Sequence, residues 1–167
     1  FLKGIKDSKK LSVKQREEWL KKIKDQKLKT KNLEIAVASV GASIIDKIGI
    51  SAAARLAAGR CLKKLTKNYK LSTINCKVLL DGSLYAPKTY PNQRTIIRGD
   101  EKIPLIAAAS IAAKVHRDKK MARLDKKFPG YGFAVHKGYG TKAHQEAIKK
   151  YNFSPLHRKT FCVNILS

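Results

Sequence analysis

RTIIRGDEKIPLIAAASIAAKVHRD, residues 94–118, is the stretch that decides the fold. It begins as a short apolar strand, Thr95 to Arg98, and a very apolar helix follows from near Pro104. Small residues on nearly every side of that helix predict close, buried packing against a sheet. A carboxylate stands near each end of the helix, Asp100 and Asp118, and both need a physical explanation.

The composition points to a polyanionic partner. The chain has 167 residues, 43% of them hydrophobic, which predicts one globular domain over residues 1–167. It carries 37 basic and 12 acidic residues, for a net charge of +25. Such a surface favours association with nucleic acid. A lysine-rich proteome or a ribosomal type of protein would give the same charge, so charge alone does not separate these classes.

The cysteines and the hydropathy indicate a cytoplasmic protein. Cys61, Cys76 and Cys162 are far apart and form no Cys-x-x-Cys pair, so we expect reduced thiols. No apolar run reaches transmembrane length and no signal peptide is visible, so we expect no membrane partner. No obligate protein partner is evident either.

Outside the central stretch, strands and helices alternate, which predicts an α/β layer fold. Ser12 and Gln15 have the spacing of a capping box at the start of a helix. The predicted elements, in chain order, are a helix over 13–25, a strand over 34–40, a short helical segment over 44–48, a helix over 51–69, a strand over 74–80, the central strand and helix to about 128, an extended segment over 131–135 and a helix over 142–150.

Two aspartates stand at equivalent places in this pattern. Asp81 and Asp100 each follow an apolar strand and adjoin a glycine, in LLDGS and IIRGD. If the strands are neighbours, both carboxylates emerge at one edge of the sheet, where hard divalent cations find oxygen ligands. For either residue alone, an Asp-Gly turn is the better interpretation. Together, on so basic a chain, they favour a metal site.

Other polar residues have two interpretations each. Asp118 lies four residues after Lys114, so an intrahelical ion pair competes with a supporting role in the site. Tyr139, in the loop HKGYG, is suited to stacking on a sugar or base, or to packing under a turn. Phosphate binding and a solvated basic loop are the alternatives for three further sites: Ser8 with Lys9 and Lys10, His157, and Arg158.

Read together, five motifs identify a resemblance. DSKKLS at 7–12, LDGS at 80–83, RGDEKIPLIAAASIAAKVHRD at 98–118, HKGYGTKAH at 136–144 and SPLHRKTF at 154–161 occur in order. Over essentially the whole chain this resembles ribonuclease HII, the type 2 ribonuclease H family. The resemblance implies an RNase H-like mixed sheet flanked by helices. It also implies an endoribonuclease that hydrolyses the RNA strand of RNA–DNA hybrids and cuts 5′ of ribonucleotides embedded in duplex DNA.

The resemblance also implies roles for particular residues. The family uses four carboxylates around Mg²⁺ or Mn²⁺ in a two-metal site, and two of them match Asp81 and Asp100 as catalytic metal ligands. Tyr139 matches the tyrosine that packs against deoxyribose at an RNA–DNA junction, and Lys9 matches a phosphate-contacting lysine. Supporting roles are implied for a further set: Ser8, Arg117, Asp118, His157 and Arg158.

The chain departs from the family pattern in two places. The family's VDGN reads LDGS at 80–83, which keeps the carboxylate. The family's DEAGRG segment, with two carboxylates and its strands, is not found, and Phe1 stands first. We therefore expect an N-terminally truncated member in which residues 1–167 alone are inactive or nearly so, unless Glu101 or Asp118 substitutes. The alternative is a non-catalytic basic nucleic-acid-binding protein, either a degenerate relative or ribosome-associated.

Overall fold

A computed structural model describes residues 1–5, 7–30, 33–69, 72–163 and 165. Helices predominate, and two short strands form the sheet of this described part. The elements are α1 (Val13–Thr30), α2 (Ala42–Ile48), α3 (Ile50–Tyr69), β1 (Val78–Asp81), β2 (Gln93–Ile96), α4 (Gly99–Lys102), α5 (Pro104–Lys127), α6 (Phe133–His136) and α7 (Lys142–Tyr151), with 3-10 turns at Ser8–Lys10 and Lys159–Phe161.

The two strands are parallel neighbours, as the metal-site hypothesis requires. Val78 lies opposite Gln93, and Asp81 lies opposite Ile96. Parallel strands need a crossover between them, and here residues 82–92 supply it. One face of β1 is buried in an apolar cluster that comprises Val78, Leu80, Ala86 and Tyr90, flanked by Leu62, Cys76 and Leu84. The α/β class is confirmed, with helices around a small parallel sheet.

Helix α5 is buried along one face rather than all round. The buried residues recur at helical spacing: Ile106, Ala107, Ala108, Ile111, Ala112 and Val115. Leu105, Ala109 and Ala113 are exposed, so the burial predicted for this helix is confined to one face. Ile111 and Val115 pack with Leu11, from the N-terminal segment, and not within the strand cluster. Sequence composition does not tell which side of an alanine-rich helix finds a partner.

Helix α1 begins with the predicted capping box. The Ser12 backbone amide donates to Gln15 Oε1 over 2.8 Å, and the Gln15 amide donates to Ser12 Oγ over 3.2 Å. These reciprocal bonds satisfy amides that have no partner within the helix. Ile23 is buried on the inner face, whereas most of the charged residues are exposed. The helix continues five residues beyond the predicted end, to Thr30.

Two predicted extended segments are wrong. Residues 34–40 have irregular backbone, because a strand exists only where a neighbouring strand accepts and donates its ladder of hydrogen bonds, and in the described chain none pairs with them. Residues 131–135 contain the start of α6 instead. Gly130 and Gly132 adopt φ values of 93° and 73°, which reverse the chain and turn it into this short helix.

The chain divides into two compact units, and each is described by itself. Unit 1 comprises residues 1–39 and 54–115, and unit 2 comprises residues 40–53 and 116–167. The single-domain organisation over 1–167 stays a prediction. Among the residues that the structure describes, none of the helices combines the length and the apolar character needed to cross a membrane.

Candidate active site

The ends of β1 and β2 bring Asp81 and Asp100 together in unit 1. Asp81 is the last residue of β1, and Asp100 lies in the first turn of α4, four residues after β2 ends. The Gly99 amide donates a 2.7 Å hydrogen bond to Asp81 Oδ1. Arg98, just before it, has φ 55° and ψ 44°, a left-handed conformation that is uncommon for a residue with a side chain. This turn places Asp100 beside the end of the neighbouring strand.

Asp100 is a buried carboxylate in an unfavourable setting. Only 5% of its surface is exposed. Burial raises the pKa of Asp100 above its ordinary value, and the negative charges of Asp81 and Asp7 raise it further, against a smaller lowering by Lys9. Carboxylates held close together in this way are stabilised by a cation. The geometry therefore has the electrostatic character of a cation site.

Asp7 is a residue of this site that the sequence interpretation did not single out. It is buried, with 6% of its surface exposed, and its negative charge raises the pKa of Asp100, as does the hydrogen bond that the protonated Asp100 carboxyl makes with it. It also caps the 3-10 turn at Ser8–Lys10 by accepting a 2.9 Å bond from the Lys9 amide. The capping role was visible in the sequence Asp-Ser-Lys-Lys. Proximity to Asp100, far along the chain, had no local signal.

Lys9 and Ser8 occupy different positions relative to the carboxylates. Lys9 Nζ lies 3.6 Å from Asp100 Oδ2, and 77% of its side chain is exposed, so its charge faces both the carboxylate and solvent. Ser8 is buried, and its Oγ lies 2.9 Å from Ser110 Oγ on α5. Lys9 is thus in place to meet a phosphate, whereas Ser8 anchors the turn that carries it.

The Glu101 carboxylate forms ion pairs with two basic side chains. Its carboxylate lies 2.7 Å from Arg98 Nη2 and 3.4 Å from Lys10 Nζ. The hydrogen bond from Arg98 is the main cause that lowers the pKa of Glu101, and that from Lys10 lowers it further. These contacts keep Glu101 ionised on the outer side of α4. They argue against the exception in which Glu101 acts as a further metal ligand.

The donor set fits part of a divalent-metal site. Asp81 and Asp100 supply hard oxygen ligands, and their mutual repulsion favours a bound cation. Among the described residues, no three or more His, Cys, Asp or Glu side chains are arranged as a ready-made metal group. Mg²⁺ is commonly held by one or two carboxylates together with water and substrate phosphates, so two aspartates are compatible with it.

Unit 2 carries the predicted substrate-contacting tyrosine in an exposed position. Tyr139 is 52% exposed. This exposure argues against the alternative of a ring packed under a turn. The Arg117 guanidinium lies 4.5 Å from the ring centroid, and its Nη1 donates to the Tyr139 hydroxyl over 3.0 Å. Arg117 Nη2 also donates to the Lys137 carbonyl over 2.8 Å. Arg117 therefore supports both the ring and its loop.

The remaining predicted residues of unit 2 differ in burial and in the groups that they contact. Asp118 is buried, and its ion pair with Lys114 stays a prediction. Arg158 lies over the ring of Phe161, with its guanidinium carbon 4.4 Å from the ring centroid. His157 is buried and hydrogen-bonded, so it is not placed to contact a phosphate directly.

A basic α/β protein with paired carboxylates at parallel strand ends and a supported, exposed tyrosine has the features of a phosphodiester hydrolase. The sequence profile of the family Ribonuclease HII matches residues 2–164. The ribonuclease HII of Coxiella burnetii is 43% identical over 161 residues, covering 96% of this chain and 74% of its own length. That of Alkaliphilus metalliredigens is 43% identical over 169 residues, covering 99% of this chain and 78% of its own.

Solved structures agree on the fold. Ribonuclease H2 from Pyrococcus horikoshii OT3 superposes with a TM-score of 0.64 at 23% identity, over 98% of this chain and 80% of its own. The ribonuclease HII in the complex with PCNA from Archaeoglobus fulgidus gives 0.63 at 24% identity, with the same coverage. The chain belongs to the ribonuclease HII family, and it is by class a ribonuclease H hydrolase. The predicted resemblance and enzyme class are confirmed.

Proposed function

We propose that the gene product to which this chain belongs carries out metal-dependent endoribonuclease chemistry on RNA–DNA hybrids and cuts 5′ of ribonucleotides embedded in duplex DNA. The observation that carries the proposal is the meeting of Asp81 and Asp100 at the ends of β1 and β2, with the pKa of Asp100 raised by burial and by Asp81. Relatives named ribonuclease HII support the same chemistry. The net charge of +25 suits a nucleic-acid duplex.

Asp81 and Asp100 would hold Mg²⁺ or Mn²⁺, in keeping with the general dependence of ribonucleases HII on divalent metal. When bound there, such ions would supply an activated water and stabilisation of charge on the leaving oxygen. Gly99 orients one oxygen of Asp81 through its amide, which leaves Oδ2 for a ligand. Lys9, beside Asp100, offers a positive charge to a phosphate.

Tyr139 would contact the sugar of the substrate. Its ring is half exposed, and Arg117 holds it from one side through the guanidinium stack and the hydroxyl hydrogen bond. An aromatic ring held in this way presents a flat apolar surface at little entropic cost. Arg117 also brings a cation to the same place, which favours the phosphate backbone.

The test is cleavage of two defined substrates by the complete gene product in Mg²⁺ or Mn²⁺. One is duplex DNA with a single ribonucleotide, and the other is a uniform RNA–DNA hybrid. We expect cuts 5′ of the ribonucleotide. Asp81→Asn and Asp100→Asn should each lower kcat about 100-fold or more, the scale of losing one electrostatic contact to the transition state. Exposed Asp25 on α1 provides the matched control, Asp25→Asn, with unchanged kcat.

A binding measurement checks the metal hypothesis without activity. Mg²⁺ or Mn²⁺ should raise the Tm of the wild-type chain and of Asp25→Asn, since a ligand that binds only the native state stabilises it. The same ions should have a much smaller effect on Asp81→Asn and Asp100→Asn. Normal cleavage by both site variants, or equal metal stabilisation of all four proteins, would refute the assignment of these ligands.

We also propose a cytoplasmic location. Cys61, Cys76 and Cys162 are free thiols in this structure, which is in keeping with a reducing compartment. Cell fractionation with thiol labelling tests the proposal. Recovery of the protein from an oxidising compartment would contradict it.

A further inference from the structure

Three histidines lie buried together under the Tyr139 loop in unit 2. His136 ends α6, His144 lies on α7, and His157 follows that helix; their exposed fractions are 8%, 6% and 6%. The rings of His136 and His144 stack at a centroid distance of 3.9 Å and an interplanar angle of 16°. The rings of His144 and His157 lie 5.2 Å apart. Buried histidines this close are costly to protonate.

The hydrogen bonds assign one tautomer to the His157 ring and one to the His144 ring. The Ser154 amide donates to His157 Nδ1 over 2.9 Å, so that nitrogen accepts and the proton of His157 is on Nε2. His157 Nε2 lies 3.1 Å from His144 Nε2, which must then accept. The proton of His144 is therefore on Nδ1, which lies 2.9 Å from the Tyr139 carbonyl oxygen and donates to it.

The third ring is assigned in the same way. His136 Nε2 lies 2.7 Å from the Tyr131 carbonyl oxygen, which can only accept, so Nε2 carries the proton. The Gly138 amide donates to His136 Nδ1 over 3.0 Å. All three rings are thus neutral in this arrangement, and each uses both of its nitrogens.

These bonds hold the backbone on both sides of the substrate-contacting tyrosine. The Tyr139 carbonyl is bound by His144, the Tyr139 amide donates to the His136 carbonyl over 2.9 Å, and Gly138 is bound by the His136 ring. Gly138 adopts a φ of 79°, and Lys137 before it a φ of 53°. A loop with two left-handed residues needs such external bonds to keep one conformation.

We propose that His144 is a positioning residue for substrate binding through Tyr139, and that proton uptake by the neutral relay from Ser154 through His157 and His144 displaces the loop. This rests on the proposed function, in which Tyr139 contacts the substrate. A proton on His144 Nε2 would oppose the His157 Nε2–H, whereas one on His157 Nδ1 still finds acceptors in the Ser154 hydroxyl, 2.8 Å away, and the Ser154 carbonyl, 3.3 Å away. The first change places donor against donor and displaces the His144 ring, together with the Tyr139 carbonyl to which its Nδ1–H stays bonded.

The surroundings offer the extra proton little stabilisation. Burial is the largest cause that lowers the pKa of His144 and of His157; the backbone bonds to Tyr139 and Ser154 raise these pKa values in part, and the neighbouring histidines lower them again. The charged groups on adjoining elements are engaged elsewhere: Arg117 on Tyr139 and Lys137, Arg158 over Phe161, and Glu146 of α7 with Lys142. The Tyr131 hydroxyl donates to the carbonyls of Tyr151 and Asn152.

The direction of the pH effect follows from these shifts. A base with a lowered folded-state pKa stabilises the fold fully above its unfolded value of 6.5. That stability falls as the pH drops below 6.5 toward the lower folded-state pKa. We therefore expect the loop to loosen in mild acid and to be ordered at neutral pH.

Nitrogen-15 NMR of the histidines in the complete gene product tests the relay directly. The Nδ1–H tautomer is expected for His144, and the Nε2–H tautomer for His136 and His157. His116, on α5, completes the four histidines of the chain and serves as the internal reference. An Nε2–H tautomer at His144, or protonation of His144 at or above its unfolded-state value of 6.5, would overturn the proposal.

Kinetics on the single-ribonucleotide duplex test the link to substrate. His144→Ala should raise KM about 5- to 30-fold at neutral pH with a smaller change in kcat, the scale of one lost buried hydrogen bond. His144→Asn keeps a donor near the place of Nδ1 and should recover most of the affinity. Its KM should rise less in mild acid than that of wild type or of the matched control His116→Asn.

The two proposals fail in different ways. If no ribonucleotide-containing duplex is cut, the proposed function is refuted, whereas the tautomers still decide whether the relay exists. If cleavage is normal and His144→Ala leaves KM unchanged, the positioning role is refuted alone. If His144→Asn shows the wild-type pH dependence of KM, the proton-driven displacement of the loop is refuted. Tm values at each pH separate both results from unfolding of a variant.

Discussion

The backbone amide of Gly99, which follows β2, donates a 2.7 Å hydrogen bond to Oδ1 of Asp81, the last residue of β1. Gly99 also immediately precedes Asp100, so one peptide orients the first aspartate and positions the second. A Cβ at Gly99 would lie 2.8 Å from Ile106 Cδ1, 3.2 Å from Asp81 Oδ1 and 3.4 Å from Ile96 Cβ. The close approach of the strand ends therefore requires the absence of a side chain at this position.

We expect Gly99→Ala to displace Asp81 and to reduce both activity and stability. The Ile106 methyl group is the flexible end of a side chain and can move, but the carboxylate cannot withdraw without lengthening its bond to the amide. Overpacking of this kind costs about 1–3 kcal/mol. Denaturant unfolding should show that loss, and kcat should fall about tenfold or more, since small misplacements of catalytic groups are costly.

Gly41→Ala is the matched control, because a Cβ there would meet nothing within 4 Å. It should leave kcat unchanged. Full activity in Gly99→Ala would mean that the Gly99–Asp81 bond does not orient a catalytic group.

Asp100→Asn should stabilise the fold while it removes activity. Burial and the charges of Asp81 and Asp7 raise the pKa of Asp100, so the folded chain binds this proton more tightly than the unfolded chain does. The wild-type chain is therefore destabilised at neutral pH and gains stability as the pH falls through the raised folded-state pKa. Relief of about 1 kcal/mol would raise the Tm by about 2–4 °C in a chain of this size.

Scanning calorimetry at neutral and acid pH, without divalent metal, checks this prediction. The difference in Tm between Asp100→Asn and wild type should shrink in acid, where the wild-type carboxyl is protonated. Asp25→Asn, at an exposed position, should show no such pattern. A lower Tm for Asp100→Asn at neutral pH would show that its contact with Lys9 outweighs the repulsion.

Arg117→Lys should weaken substrate binding although it conserves the charge. Lysine cannot reproduce the stack on the Tyr139 ring together with the separate bonds to the Tyr139 hydroxyl and the Lys137 carbonyl. A loss of about 1–2 kcal/mol corresponds to a KM about 5- to 30-fold higher. Arg123→Lys, at an exposed position of the same helix, is the control. Equal KM values for the two variants would contradict a role of Arg117 in supporting Tyr139.

Ser12→Ala should destabilise the chain without a change in kcat. The substitution removes the acceptor of the Gln15 amide and breaks the capping box of α1. Loss of such a cap costs about 0.5–2 kcal/mol. Urea unfolding measures it, with Ser72→Ala in an exposed turn as the control, expected to lie within about 0.5 kcal/mol of wild type. An unchanged midpoint for Ser12→Ala would show that the cap contributes nothing measurable.

Local signals carried much of the prediction. The capping box at Ser12 was predicted because its two partners lie only three residues apart. The strand ends before Asp81 and Asp100 were predicted within a few residues, since apolar runs and glycines punctuate the chain locally. The sequence analysis stated the pairing of these two strands only as the condition for a shared metal site, and the structure shows that β1 and β2 are neighbours.

Features that depend on distant parts of the chain were missed. Nothing near Asp7 in the sequence tells that it touches Asp100, and nothing near His136 tells that its ring stacks on His144. Arg98 adopts a left-handed conformation although it is not a glycine, so its residue type does not predict this turn. These arrangements arise only when separate elements pack, because burial and side-chain pairing are properties of the folded whole.

The sequence by itself determined the family, the α/β class, the strong positive charge and the two aspartates proposed as metal ligands, because ordered motifs and local patterns survive without coordinates. Only the tertiary structure decided that Asp100 is buried beside Asp81 and Asp7, that one face of α5 is covered while Ala109 and Ala113 remain exposed, and that three neutral histidines hold the Tyr139 loop. The physical reason is that pKa values and positions of side chains depend on neighbours distant in sequence, which a local pattern does not contain.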